Sequence, residues 1–174
     1  VDAEHVPVAI AELYKPLNKD FASALDFSEA LQVPRTNDGA VRMVDGSVLI
    51  VGGLDDVGSP VRTAEQFSLD GGFTSVGEIP VGAGVIDLVA TPMSDGRVLF
   101  TGGREEATGP PVDVAFLARL DPDDGLVDFQ KTDRLEHPRA GHQAMLLCDG
   151  TLLLVGGGRD APVERYNPSA AKRR

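Results

Sequence analysis

The chain has 174 residues, enough for one domain with a sizeable core and little more. Hydrophobic residues make up 42% and charged residues 25%, the composition of an ordinary globular protein. The net charge of −11 argues against nucleic-acid partners, because phosphate contacts need Lys and Arg. No apolar run approaches the roughly 18 residues of a membrane span, so no membrane insertion is expected. The basic cluster Lys172, Arg173 and Arg174 reads as a solvated tail. The single cysteine, Cys148, cannot form an internal disulfide, which leaves oxidising and reducing compartments both open. An extracytoplasmic setting (secreted, periplasmic or surface) is the expectation.

In chain order, the first phrase is "IAELYKP" from Ile10, followed by a short run holding Phe21. "VPRTND" from Val33 leads into an apolar stretch, Ala40 to Val44, then Asp45-Gly46, "SVLIV", Gly52-Gly53, a charged loop from Leu54, "TAEQFSL" from Thr63 and a run holding Phe73. The same series returns as "IPVGAG" from Ile79, Leu88 to Met93, Asp95-Gly96, "RVLFT", Gly102-Gly103, a loop from Arg104, "FLARLDP" from Phe116 and Phe129. It returns again as "HPRAGH" from His137, Gln143 to Cys148, Asp149-Gly150, "TLLLV", Gly156-Gly157 and "PVERYNP" from Pro162. The Asp-Gly and Gly-Gly pairs are both spaced by 50 and 54 residues, and Tyr14, Phe67, Leu120 and Tyr166 by 53, 53 and 46. Independent features sharing one period indicate an internal repeat.

Each period reads as four short strands. Asp-Gly between two β-rich runs is a tight hairpin signal, with turn positions that need positive φ. The run after it is apolar on both faces and is expected to be a fully buried strand. Gly-Gly at its end permits close backbone approach or a sharp bend. "AEQF" or "VERY" supplies a third strand, and the single Phe a fourth. Four antiparallel strands in about fifty residues make a propeller blade. The expected fold is therefore all-β, a β-propeller of four-stranded antiparallel blades. Residues 1–32 end one blade, 33–79 and 80–133 form two blades, and 134–174 form most of a further one. The strand count of two, four, four and three leaves the ring incomplete. Further blades of a larger protein, or a second chain, are expected to complete it.

The phrases Asp-Gly-x-Val/Leu-Leu-x-x-Gly-Gly, Ala/Val-Glu-x-Tyr/Phe-x-Pro and Pro-Arg-x-x-His resemble the kelch repeat in its bacterial, galactose-oxidase-like style. The resemblance covers nearly the whole chain and implies the fold far more than a function. The middle copy departs most, with Val81 where Arg35 and Arg139 stand and Leu120 at the Tyr position. No Trp is present, although kelch blades usually carry one in the fourth strand.

Alternating strand direction puts the Asp-Gly and Asn-Pro-type turns on one face of the disc and the long charged loops on the other. Binding on rigid scaffolds concentrates in such loops. The candidate partner contacts are Asp55, Asp56, Arg62, Arg104, Glu105, Glu106, Arg134, Arg139, Arg159 and Asp160, weighed against simple surface charge. No catalytic, cofactor or metal residue is assigned. His137 and His142, five apart, would need a further convergent ligand to hold a metal, and His142 occupies the usual kelch histidine position, which suits a structural hydrogen bond better. The galactose-oxidase copper site is not carried over, because Tyr14 and Tyr166 are repeat positions and Cys148 ends a buried strand. "LDPDDGLVD" from Leu120 lacks the spacing and closing Glu of a calcium loop. Glu12, Glu65 and Glu164 recur at one repeat position, which points to a structural bond or ion pair to an Arg. The expected function is a non-catalytic protein-binding or scaffold module. The alternatives are part of a galactose-oxidase-like or carbohydrate-acting enzyme with its site in other blades, and a structural subunit completed by another chain.

Overall fold

In the computed structural model, residues 9, 11–17, 20–23 and 30–168 are described. His5, part of the loop from Ala24, and Lys172, Arg173 and Arg174 lie outside them.

The described residues form antiparallel sheets and no α-helix. An N-terminal pair joins β1 (Glu12–Lys15) to β2 (Asp20–Ser23). The first full sheet runs β3 (Gly39–Arg42), β4 (Val48–Val51), β5 (Thr63–Ser68), β6 (Gly72–Glu78). The second runs β7 (Val89–Pro92), β8 (Val98–Thr101), β9 (Ala115–Leu120), β10 (Val127–Lys131). The third holds β11 (Gln143–Leu146), β12 (Leu152–Val155) and β13 (Glu164–Tyr166). Each sheet is a meander in sequence order, as short connections favour. β7 lies between β3 and β11, so the first strands of the sheets line one side of an open arc.

The Asp-Gly hairpins form, but by a different turn from the one expected. Met43 accepts from Gly46 N–H, and only the glycine takes positive φ, at 89°. Asp45 instead accepts from the Ser47 N–H at 3.0 Å and its hydroxyl at 2.6 Å. Asp95 and Asp149 repeat the bond to the N–H two residues on. The loop is thus a three-residue hairpin with a glycine bulge, in which Asp serves as a side-chain acceptor.

The second strands are buried as their sequence requires: Leu49, Val51, Leu99, Phe100, Leu152 and Leu154 are fully enclosed. One core cluster joins Leu49, Val51 and Ala64 of the first sheet to Phe100, Phe116 and Ala118 of the second. Another joins Leu99 and Leu117 to Leu152, Leu154 and Tyr166. The second sheet therefore buries one face against the first sheet and the other against the third.

The register corrects the alignment of the middle copy. Val48 pairs Phe67, Leu152 pairs Tyr166, and Val98 pairs Ala118. Ala118, not Leu120, therefore stands at the aromatic position. By the same register Phe116 stands where Glu65 and Glu164 do.

Candidate functional site

The long loops gather on the face opposite the hairpins, and backbone bonds fasten them from sheet to sheet. Gly53 N–H donates to the Val85 carbonyl at 2.9 Å, and Gly103 N–H to the Arg139 carbonyl at 2.8 Å. Gly52 and Gly102 come so close to those carbonyls that a Cβ on either would lie 2.2 Å from the oxygen. Asn37 (φ 57°), Asp87 (φ 53°) and Gly141 (φ 60°) occupy equivalent left-handed positions. Asp87 N–H donates to Asn37, and Gly141 N–H to Asp87. Left-handed backbone is accessible to Asn, Asp and Gly, which explains the residue types at this otherwise dissimilar position.

Inside the first and third sheets, a buried ion pair fixes the loop that leads into the sheet. Arg35 meets Glu65 at 2.5 Å and also donates to the Gly52 and Thr63 carbonyls. Glu65 in turn accepts from the N–H groups of Gln32 and Val33. Arg139 meets Glu164 at 3.0 Å and donates to the Gly156 and Pro162 carbonyls, while Glu164 accepts from the N–H groups of Glu136 and His137. The structural role expected for Glu65 and Glu164 is what these bonds show. Glu12 is exposed. Arg139 is a candidate partner contact by sequence, but it is fully buried and its two Nη atoms are engaged, so it presents nothing to a partner.

The middle sheet lacks this pair. Asp87 lies seven positions after Pro80, whereas Asn37 lies three after Pro34 and Gly141 three after Pro138. Counting back from the left-handed residue, Val85 and not Val81 replaces the arginine, and Phe116 replaces the glutamate. Phe116 stacks on Phe100 at 5.0 Å. Charge and counter-charge are absent together, so no unpaired ion is buried.

The other candidates occupy loop tips of successive sheets. Asp55 turns its own loop, accepting from the N–H groups of Val57 and Ser59. Arg62 pairs with Glu78 at 2.9 Å, and Arg134 with Asp113 at 2.6 Å. Arg104 is half-buried, donates to the Gly109 carbonyl at 2.7 Å and lies 3.5 Å from Asp87. Asp56, Glu105, Glu106, Arg159 and Asp160 are exposed. The face brings these residues to one side of the molecule without converging them on one point. A cavity of about 440 Å³ does open on it, between Pro80–Gly82, Val112–Ala115 and the loop after β10. Sequence reasoning missed it, because its walls come from three separate segments.

His142 is buried against the second sheet, with Nε2 at 2.9 Å from the Thr101 hydroxyl. Burial, reinforced by Arg139 and opposed by Glu164, lowers its pKa to about 4. It is a structural histidine, as expected. Cys148 corrects its expectation: it lies beyond β11 in the hairpin turn and is exposed. The Tyr166 hydroxyl donates to the Asp133 carbonyl at 2.6 Å and contacts the Thr132 hydroxyl. Among the described residues no three His, Cys, Asp or Glu side chains converge as metal ligands. His142 and Tyr166 are held in structural hydrogen bonds, and Cys148 stands exposed in a hairpin turn.

No family model matches the sequence, and no curated protein matches it. Solved structures do match by shape. The protein YjhT is similar at 15% identity with a TM-score of 0.64, covering 91% of this chain and 52% of that one. A fungal alcohol oxidase of the AA5 family, solved with copper, is similar at 14% identity with a TM-score of 0.52, covering 94% of this chain and 48% of that one. This chain thus spans about half the length of these structures, and the likeness shows the fold: a kelch-like arrangement of antiparallel sheets.

Proposed function

We propose that this chain is a non-catalytic binding or scaffold segment of a kelch-type propeller that presents its long-loop face to a protein partner. The observation behind this reading is the fastening of that face. Bonds from Gly53 to Val85 and from Gly103 to Arg139 tie neighbouring loops together, so little ordering entropy opposes binding. The buried ionisable groups Arg35, Glu65, Arg139 and Glu164 are engaged in holding those loops. The test compares charge reversal at Glu105, Glu106, Arg159 and Asp160 with reversal at Asp123, Asp124 and Arg165 on the hairpin face. Loss of partner binding on reversal of the first set alone supports the reading; equal loss from both sets, or loss from neither, rejects it.

The arc continues through the third sheet. Met145, Val155 and Val163 are 67%, 43% and 61% exposed on one face of that sheet, whereas Thr91, Thr101 and Ala115 at the same positions are covered by the next sheet. A Cβ on Gly156 would meet nothing within 4 Å, unlike one on Gly52 or Gly102. A further sheet, from more of the same protein or a second chain, fits that face.

The rival reading is an oxidase-like or carbohydrate-acting enzyme with its site in other sheets. Its support is the likeness to the copper-bound alcohol oxidase. Copper uptake together with alcohol oxidation by the complete ring would establish it in place of the binding reading.

A further inference from the structure

The two junctions between sheets follow one pattern. At the first, Gly53 N–H donates to the Val85 carbonyl at 2.9 Å and Asp87 N–H to the Asn37 carbonyl at 3.3 Å. At the second, Gly103 N–H donates to the Arg139 carbonyl at 2.8 Å and Gly141 N–H to the Asp87 carbonyl at 2.9 Å. The entering segment thus offers a carbonyl and, two residues on, the N–H of a left-handed residue. The residue after that one reaches back over the sheet already in place. Leu88 shares a core cluster with Val51 and lies over Gly52. His142 instead meets the Thr101 hydroxyl at 2.9 Å.

The third sheet carries the receiving half of this pattern. By the register, Val155 stands where Val51 and Thr101 do. Gly156 and Gly157 follow it as the other glycine pairs follow those residues. Among the described residues, no backbone group bonds the Gly157 N–H or the Gly141 carbonyl. The space over Gly156 is open, and Val155 is exposed. A donor, an acceptor, an open space and an apolar contact therefore lie in the same order as at the two filled junctions.

Val155 decides which side chain can reach back over it. It has no hydroxyl for a histidine placed like His142. In the first sheet that place belongs to Asp38, just before β3, and a carboxylate laid on Val155 loses water without gaining a partner. A second copy docked by its first sheet is therefore a mismatch, whereas an aliphatic residue fits Val155 as Leu88 fits Val51. We infer that the third sheet is a docking surface for a further sheet entered by a segment x-x-Gly/Asn/Asp-aliphatic, of the kind Val85–Leu88 is. Its first carbonyl accepts from Gly157 N–H, and its third N–H donates to the Gly141 carbonyl. This inference rests on the covered third sheet proposed above and names the chemistry of its cover.

The test extends the 174-residue chain at its C-terminus with a second copy of residues 69–131. That copy supplies a fourth strand for the third sheet and then a sheet entered by Val85–Leu88. The residues between lengthen one connection, which costs little. Amide hydrogen exchange at Gly157 is read by NMR. It is expected to slow at least about tenfold relative to the unextended chain. Leu88→Asp in the appended copy alone removes most of that protection. Val155→Thr together with Leu88→His in the appended copy restores it, by the contact that Thr101 and His142 make. No slowing with the unaltered extension overturns the docking. Equal slowing with and without Leu88→Asp, or no recovery in the exchanged pair, overturns the assigned segment and leaves a covered third sheet standing, so the two readings fail separately.

Discussion

Arg139 and Glu164 form a buried ion pair, 3.0 Å apart, at the place where the middle sheet holds Val85 and Phe116. The two solutions are self-consistent, and a mixture of them is not. Arg139→Val leaves Glu164 enclosed without its partner, which costs about 3–5 kcal/mol. Adding Glu164→Phe removes the stranded charge. Urea unfolding of both single variants and the double is expected to show a favourable coupling of ~1–3 kcal/mol. Strict additivity would mean that the pair does not act as a unit.

The glycine pairs are equivalent in sequence but not in surroundings. At Gly102, a Cβ would strike the Arg139 carbonyl at 2.2 Å in a left-handed backbone; at Gly156, the backbone is also left-handed but the space is open. Gly102→Ala is therefore expected to destabilise strongly, and Gly156→Ala by only about 1 kcal/mol of backbone strain. Thermal melts of the two variants compare them directly. Equal losses would contradict the close packing of the second sheet on the third.

His142 makes stability depend on acid. Its native pKa, about 4, lies below the ordinary 6.5, so between these values the unfolded chain binds a proton that the native one does not. Stability is therefore expected to fall as pH drops from about 6.5 to about 4, by an amount on the order of 1–3 kcal/mol. His142→Gln keeps a hydrogen-bonding group for Thr101 and removes the titration. Its unfolding free energy should change less over the same window. An unchanged slope would place the pH dependence elsewhere.

The recurring phrases made the strands, their order and the burial of β4, β8 and β12 legible, because backbone pairing demands the same residue types in every copy. The middle copy was misread where two forces compete for one pattern. "IPV" aligns by eye with "VPR", yet the four extra residues before Asp87 move the arginine position to Val85. Leu120 attracted the aromatic assignment by spacing, while the register gave that place to Ala118. Arg139 was counted among surface charges because a sequence does not reveal that a guanidinium is enclosed by the loop it fastens. The cavity depends on the distance between loops, and no periodicity encodes that.

The most direct measurement is the solution mass of the isolated chain by light scattering, for the wild type and for Met145→Lys/Val163→Lys. A face that normally lies under another sheet should drive self-association when left bare. The expected result is a wild-type mass above 18.3 kDa that the charged variant returns to 18.3 kDa. A folded wild-type chain that stays at 18.3 kDa would contradict a third sheet built to be covered.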